Sequence, residues 1–138
     1  MTLKIKLDSG AYMPTRAHTT DAGLDLYARE DRIILPNGAG IFDTGVHIEI
    51  PDGYAGFLKS KSGLNTKHGI VSEGVIDAGY TGSIVAKLYN LSNIPYCVNK
   101  GDKITQLVIL PVVCPELSLA AVLGDSERGE NGFGSSGR

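Results

Sequence analysis

The 138-residue chain has no tryptophan, two cysteines and three histidines, and its apolar runs are all far shorter than a membrane span. A spanning helix needs about 20 consecutive apolar residues, so we expect no membrane association. Cys97 and Cys114 have no His or Cys nearby at the spacing of a metal site, and we expect both to be free thiols. Because no signal peptide precedes the first strand pattern, we expect a cytoplasmic, intracellular protein.

The chain also lacks an excess of charge of either sign. Its 13 basic and 15 acidic side chains give a net charge of −2, and the basic residues form no patch. Duplex nucleic acids are bound by clustered Lys and Arg side chains, so we expect no nucleic-acid partner. A few Lys and Arg residues at special positions are still enough to hold a small anion.

Helix signals are scarce as well, and this favours an all-β fold. The chain has 18 glycines, 6 prolines and many short alternating runs rich in β-branched residues, a composition typical of a sandwich or barrel. Its length predicts one domain, which we place at residues 1–123. The main predicted strands are Leu3–Leu7, Leu24–Ala28, Arg32–Leu35, Ile41–Ile50, Tyr54–Lys59 and a fully buried Ile104–Leu110.

The stretch Glu73–Asn90 reads as a β-hairpin with a long, glycine-containing loop. After the loop, Ile84, Ala86 and Leu88 alternate with polar or larger residues, so we expect them to face the core. The loop presents a carboxylate, Asp77, and a phenol, Tyr80. Taken alone, these side chains would serve the turn itself.

Two short stretches contain residues that suit phosphate or metal chemistry. Lys59–Leu64 holds two ammoniums, two hydroxyls and a glycine, which fits either an anion-binding nest or a solvated strand end. It is not the phosphate loop GxxxxGK[ST], and no helix pattern follows it. Asp25 lies on the polar face of its strand, either as an ordinary surface acid or as a residue that holds a water of a magnesium ion.

Three further residues or segments are ambiguous from sequence. Gln106 interrupts a buried strand, so its amide must have structural partners or contact a ligand. His47 lies on a polar strand face, and we expect it to face solvent. Residues 124–138 are nearly devoid of core residues, and this tail is either a disordered linker or an arm that closes over a ligand through Phe133.

Five motifs occur in a fixed order: AGLDL, KSGL, GVIDAGY, GDKITQL and RGENGFGSSG. Together with the connecting TGVHIEIPDGY and KHGI, they make the chain resemble the trimeric deoxyuridine triphosphatase (dUTPase) family over almost its whole length. The resemblance implies a distorted jelly-roll or β-sandwich of the β-clip type and a homotrimer with three shared sites. It also implies Mg²⁺-dependent hydrolysis of dUTP to dUMP and pyrophosphate, which keeps uracil out of DNA and supplies dUMP for dTMP synthesis.

The resemblance also implies roles for individual residues. Asp77 would be the base that positions the attacking water, and Gln106 would assist at the α-phosphate. Tyr80 would pack under the deoxyribose, and Asp25 would hold a water on magnesium. Residues implied to contact the phosphates or the base are Lys61, Ser62, Gly63, Val71, Val75, Ile76, Arg128, Phe133, Gly134, Ser135 and Ser136.

The chain departs from the family pattern at three places. Lys61 stands where Arg is usual, so a point charge replaces a planar fork, and Lys59 could make the lost contacts. Ser136 stands where Thr is usual in the arm. Val71-Ser72-Glu73 precedes the hairpin loop where the family often has an Asn or Gly.

Two other functions remain open from the sequence. A dCTP deaminase-related enzyme would share the fold, but the GVIDAGY hairpin and the intact arm speak against it. A nucleotide-binding regulatory module that signals to a partner protein is the second alternative. Intact Asp77, Tyr80 and Arg128 speak against that module as the sole function.

Overall fold

The computed structural model describes residues 1–137. In chain order, the elements are β1 (Lys4–Leu7), β2 (Gly23–Tyr27), β3 (Arg32–Ile34), β4 (Ala39–Asp43), β5 (Val46–Glu49), β6 (Tyr54–Lys59), α1 (Ser62–His68), β7 (Ile70–Ile76), β8 (Val85–Asn90), β9 (Tyr96–Val98) and β10 (Lys103–Pro111).

The strands form one large and two small antiparallel sheets. Six strands lie in the order β2-β10-β6-β7-β8-β4, while β1 pairs with β5 and β3 with β9. The large sheet curls, so that one face of its strands closes on a common core. The predicted all-β fold class is therefore confirmed.

The core is built from alternating strand positions, as the sequence pattern predicts. In β8 and the residue before it, Ile84, Ala86 and Leu88 are buried, and Lys87 between them is exposed. Each buried Leu, Ile or Phe contributes roughly 1.5–3 kcal/mol relative to an exposed one. The largest fully buried apolar side chains are Phe42, Leu26, Ile34, Ile70, Ile84, Leu88, Ile104 and Leu107.

The predicted single strand Ile41–Ile50 is wrong, because the chain breaks into β4 and β5. Gly45 lies between them with a φ of 67°, a left-handed conformation that favours glycine. A Cβ at this position would also lie 2.7 Å from the Arg29 guanidinium. The break lets β5 leave the large sheet and pair with β1.

The expectation that no helix follows the Lys-Ser stretch is also wrong, because α1 begins at Ser62. Its sequence lacks an apolar period, but Leu64 packs against the core and Gly69 ends the helix in a left-handed conformation. Tertiary packing and a C-terminal glycine thus stabilise a helix that propensity alone does not specify. No helix within residues 1–137 is long and apolar enough to cross a membrane.

The last strand is only partly the buried strand that the sequence predicts. Ile104 and Leu107 are buried, but Leu110 is 46% exposed. Beyond Pro111, the described chain continues to residue 137 without a further strand or helix, and its apolar side chains up to Leu123 are largely exposed. The boundary between domain and arm at residue 123 stays a prediction, and Arg138 lies outside the described residues.

Candidate active site

A pocket opens where the central hairpin separates. In the described residues, β7 pairs with β8 only over Ile70–Ser72, after which β7 pairs with β6, while the start of β8 pairs with β4. The gap forms a cavity of about 260 Å³. It is lined by Leu58, Gly74, Val75, Ile76, Asp77, Tyr80, Ser83, Ile84 and Val85.

The hairpin loop holds Tyr80 in a defined place on this pocket. The Tyr80 backbone N–H donates to the Asp77 carbonyl at 3.2 Å, and its hydroxyl donates to the Ser83 carbonyl at 2.9 Å. A Cβ on Gly82 would lie 2.4 Å from the Tyr80 oxygen, so only glycine leaves space for the ring. The phenol is therefore a fixed part of the pocket wall.

A second group of candidate residues lies around the buried carboxylate of Asp25. The Asp25 side chain accepts a hydrogen bond from the Lys61 ammonium and forms an ion pair with Lys103 at 3.1 Å. Burial alone would raise the pKa of Asp25, but the two ammoniums outweigh burial and bring that pKa below its ordinary value. The same ion pair raises the pKa of Lys103.

The expected polar strand face at Asp25 is thus a buried one. Residue Asp25 is 5% exposed, because the aliphatic stems and charged ends of Lys61 and Lys103 cover it. The suggestion that Lys59 makes phosphate contacts meets a competing interaction, because Lys59 forms an ion pair with Glu73 at 3.0 Å.

Ser60 connects Gln106 to a set of buried hydroxyls. The Gln106 amide nitrogen donates to the Ser60 carbonyl at 3.0 Å, and the Ser60 hydroxyl accepts from the Ser72 backbone N–H at 2.9 Å. The Ser72 hydroxyl lies 2.6 Å from that of Thr105, which donates to the Lys59 carbonyl at 3.0 Å. This network fixes the amide of Gln106.

Gly23 makes the space that Gln106 occupies. A Cβ at Gly23 would lie 2.0 Å from the Gln106 side-chain oxygen. Sequence reasoning missed Ser60, Ser72, Thr105 and Lys103. The available signals were hydroxyl residues that interrupt apolar strands and the basic residue inside GDKITQL.

The remaining predicted residues lie outside both groups. Val71 pairs opposite Tyr89, at the closed end of the hairpin. In the tail, Phe133 is fully exposed, and the Arg128 guanidinium donates to the carbonyl of Asn131 at 2.7 Å. Within one chain, the tail residues Arg128, Phe133, Gly134, Ser135 and Ser136 are thus not brought to the pocket.

The strand register also separates Asp25 from Asp77. Asp25, Gln106, Lys59 and Glu73 form one row across four neighbouring strands. Three strand spacings are about 14 Å, and Asp77 lies four residues, about 13 Å, further along β7. The two carboxylates are therefore roughly 19 Å apart in one chain, too far to act at one phosphate.

The residues present fit a metal ion only as a partner of phosphate. Across residues 1–137, no three His, Cys, Asp or Glu side chains converge in a way that could hold a metal ion. Asp25 offers a single carboxylate in an otherwise basic cluster. Mg²⁺ commonly takes one or two carboxylates, several waters and the oxygens of substrate phosphates, which this donor set matches.

Comparisons with known proteins agree with these observations. The family model described as dUTPase matches residues 10–137. The deoxyuridine 5′-triphosphate nucleotidohydrolase of Clostridium tetani is 42% identical, over 99% of this chain and 97% of that protein. That of Tropheryma whipplei strain Twist is 43% identical, over 100% and 97%.

A solved structure gives the same result. The dUTPase of Staphylococcus bacteriophage 80alpha with dUPNHPP has a TM-score of 0.92 and 36% identity, over 99% of both chains. On the family model and these full-length similarities, the chain belongs to the dUTPase family.

Proposed function

We propose that this protein hydrolyses dUTP to dUMP and pyrophosphate, which keeps uracil out of DNA and supplies dUMP for dTMP synthesis. The observation that carries the proposal is the pocket in the separated hairpin, with Asp77 and Tyr80 of GVIDAGY on its wall. Full-length similarity to proteins named for this reaction supports it.

Uracil would be read by the backbone of β7. Gly74, Val75 and Ile76 pair with β6 along one edge of the strand, and β8 has moved away from the other. That edge carries fixed N–H and C=O groups, which match the N3–H donor and O4 acceptor of uracil. Cytosine reverses both groups and would leave buried polar atoms unpaired, which is strongly unfavourable. We retain Val71 as a more remote contributor.

The sugar would be selected by Tyr80. Its ring is fixed by the Ser83 bond and by the space that Gly82 leaves. A 2′-hydroxyl needs room where a deoxyribose has only hydrogen, and a ring that cannot move denies that room. The same ring offers the deoxyribose an apolar surface to pack against.

Hydrolysis would use Asp77 as the base for the water that attacks the α-phosphate in line. The Gln106 nitrogen is occupied by Ser60, so its carbonyl oxygen is the group left to orient the water or its neighbours. Magnesium, when bound, supplies positive charge that offsets the charge of the phosphates. Asp25 would hold it through a water.

Lys61 would exchange partners when the substrate binds. Its ammonium bonds Asp25 in the described structure, and a triphosphate offers it a more highly charged acceptor. Ser62 and Gly63 are the first residues of α1, where backbone N–H groups have no acceptor within the helix. These groups complete the proposed phosphate contacts.

The site would be assembled from three subunits of a homotrimer. One chain places Asp77 roughly 19 Å from Asp25, so the hairpin of one subunit must meet the phosphate-binding residues of another. The arm would come from the third subunit, with Phe133 stacking on uracil and Arg128 and Ser136 holding the γ-phosphate. Gly134 and Ser135 would contribute backbone and hydroxyl contacts.

Pyrophosphate release across a nucleotide panel, with and without magnesium, tests the proposal. We expect release from dUTP with magnesium, and far less from UTP, dTTP or dCTP. Ammonia release from dCTP would instead support the deaminase alternative. Tight binding of dUTP without turnover would support the regulatory module.

A further inference from the structure

His47 connects the outer β1-β5 sheet to the loop that carries Tyr80. Its Nε2 lies 3.0 Å from both carboxylate oxygens of Asp8, and its Nδ1 lies 2.7 Å from the carbonyl oxygen of Thr81. The expectation that His47 faces solvent is therefore wrong, since its side chain is only 19% exposed. Thr81 directly follows Tyr80 in the chain.

Both ring nitrogens of His47 face groups that only accept hydrogen bonds. A carboxylate and a carbonyl can be satisfied together only if both nitrogens carry a proton. The bond to the Thr81 carbonyl and the bond to Asp8 raise the pKa of His47 above its ordinary value. Among the other charged groups that face it, Lys6 on β1 opposes this shift, and Asp43 on β4 interacts favourably with the imidazolium.

The Thr81 contact lies at the outer part of the Tyr80 loop. Towards β8, the loop is held by the Ser83 hydroxyl on Asp43 and by the Ile84 N–H on the Val46 carbonyl at 2.8 Å. Within the loop, Tyr80 is bonded to Ser83. His47 is thus a tether from another sheet to the segment between the ring and its anchor.

We propose that His47, as an imidazolium, is a positioning residue that holds the Thr81 carbonyl and thereby keeps the Tyr80 ring against the sugar. The inference rests on the proposed role of Tyr80. When His47 loses a proton, one nitrogen presents a lone pair to an acceptor and the tether loosens. Discrimination between dUTP and UTP should therefore be strong at low pH and weaken as the pH rises through the raised pKa.

The ratio of kcat/KM for UTP to that for dUTP isolates this effect. Both nucleotides carry the same triphosphate and use the same reacting groups, so most other pH effects cancel in the ratio. Measured from about pH 5.5 to about pH 9, the parent ratio should rise with pH. In His47→Ala it should be higher at low pH by about threefold to tenfold, the factor expected for one hydrogen bond, and independent of pH.

Two further variants make this experiment specific. His18 also pairs with a carboxylate, that of Asp21 at 3.0 Å, but away from the hairpin, so His18→Ala should keep the parent profile. His47→Gln retains one amide donor for Thr81 and cannot titrate, so it should partly restore discrimination while the ratio stays flat with pH. A parent ratio that does not change with pH, or His47→Ala behaving as His18→Ala does, would overturn the proposal.

The tether can also be tested without activity. In NMR titrations of the ligand-free protein, the pKa of His47 should lie above that of His18, and Asp8→Asn should lower it. A His47 pKa at or below its ordinary value overturns the tether. An unchanged nucleotide ratio in Tyr80→Ala would count against the proposed role of Tyr80, while the NMR result would still decide the tether.

Discussion

At the scale of single residues, Asp25 shows how a charge can be buried and retained. Its carboxylate is nearly removed from solvent but faces two ammoniums, and the result is a lowered pKa. A carboxyl group with a lowered pKa stabilises the fold above its unfolded pKa of about 3.9, and this contribution is lost as the pH falls through the folded value.

We therefore expect Asp25→Asn to lower the melting temperature at neutral pH by several degrees, roughly 4–8 °C, because Lys61 and Lys103 lose their common partner. Parent and variant should converge as the pH falls below about 4, where the parent carboxylate is protonated. Thermal melts across this range measure the difference. A difference that stays constant down to the lowest pH would show that the charge is not its cause.

Tyr80 has a more specific role at the same scale. An apolar pocket alone rejects an added hydroxyl by only about 100-fold, so any larger preference for dUTP over UTP needs a rigid obstacle. Tyr80→Ala should bring the kcat/KM values of the two nucleotides closer together, while Tyr80→Phe, which keeps the ring, should retain most of the preference. Steady-state kinetics with both nucleotides measure this. An unchanged ratio in Tyr80→Ala would refute the assignment.

At the scale of elements, the hydroxyl network joins β6, β7 and β10 beneath the phosphate-binding stretch. Thr105→Val keeps the side-chain shape but removes both the donor to Lys59 and the partner of Ser72. We expect it to cost about 1–3 kcal/mol in unfolding free energy, because buried polar groups lose their partners. Since the network also places Ser60, kcat for dUTP should fall more than KM changes.

A control variant separates the network from a general loss of hydroxyl bonds. Ser92 bonds to Asn90 and the Ile94 carbonyl on the far side of the hairpin, so Ser92→Ala should affect stability without a change in kcat. Equal effects of Thr105→Val and Ser92→Ala on kcat would contradict a link between the hydroxyls and Gln106. Denaturant unfolding and steady-state kinetics supply both readouts.

The elements also show what a sequence pattern can and cannot predict. Alternation predicted the buried face of Ile84, Ala86 and Leu88, because period-two burial is a local property of a strand. The helix α1 and the break at Gly45 depend on packing against distant residues, which local patterns do not contain.

The candidate site shows the same division. The motif predicted Asp77 and Tyr80, but the opening between β7 and β8 depends on pairing with β6 and β4. The contacts of His47 join residues 34 and 39 positions apart in sequence, so its alternation could indicate only a polar face.

At the scale of the whole molecule, the chain beyond Pro111 has little contact with its own core. Fixing the arm costs on the order of 1–2 kcal/mol per residue, whereas stacking of Phe133 on a base returns only about 1–3 kcal/mol. Charge-assisted bonds from Arg128 and Ser136 to the γ-phosphate must supply the remainder. We therefore expect the arm to close only on a triphosphate.

Protease protection of the tail tests the closing of the arm. A non-hydrolysable dUTP analogue should protect the tail, whereas dUMP should not, and Arg128→Ala should abolish the protection. Equal protection by both ligands would mean that the γ-phosphate does not hold the arm.

The most direct test of a site shared among subunits is activity recovered by mixing two inactive proteins. Asp77→Asn should lose about 10²–10⁴-fold in kcat while it still binds nucleotide, and Arg128→Ala should lose the γ-phosphate contact. When their subunits are exchanged at equal amounts, about three quarters of the trimers are mixed, and each has one intact site. Activity should then return to about one quarter of the parent value. Mixed trimers, verified as such, that hydrolyse dUTP no faster than the separate variants would contradict a site in which Asp77 and Arg128 come from different subunits.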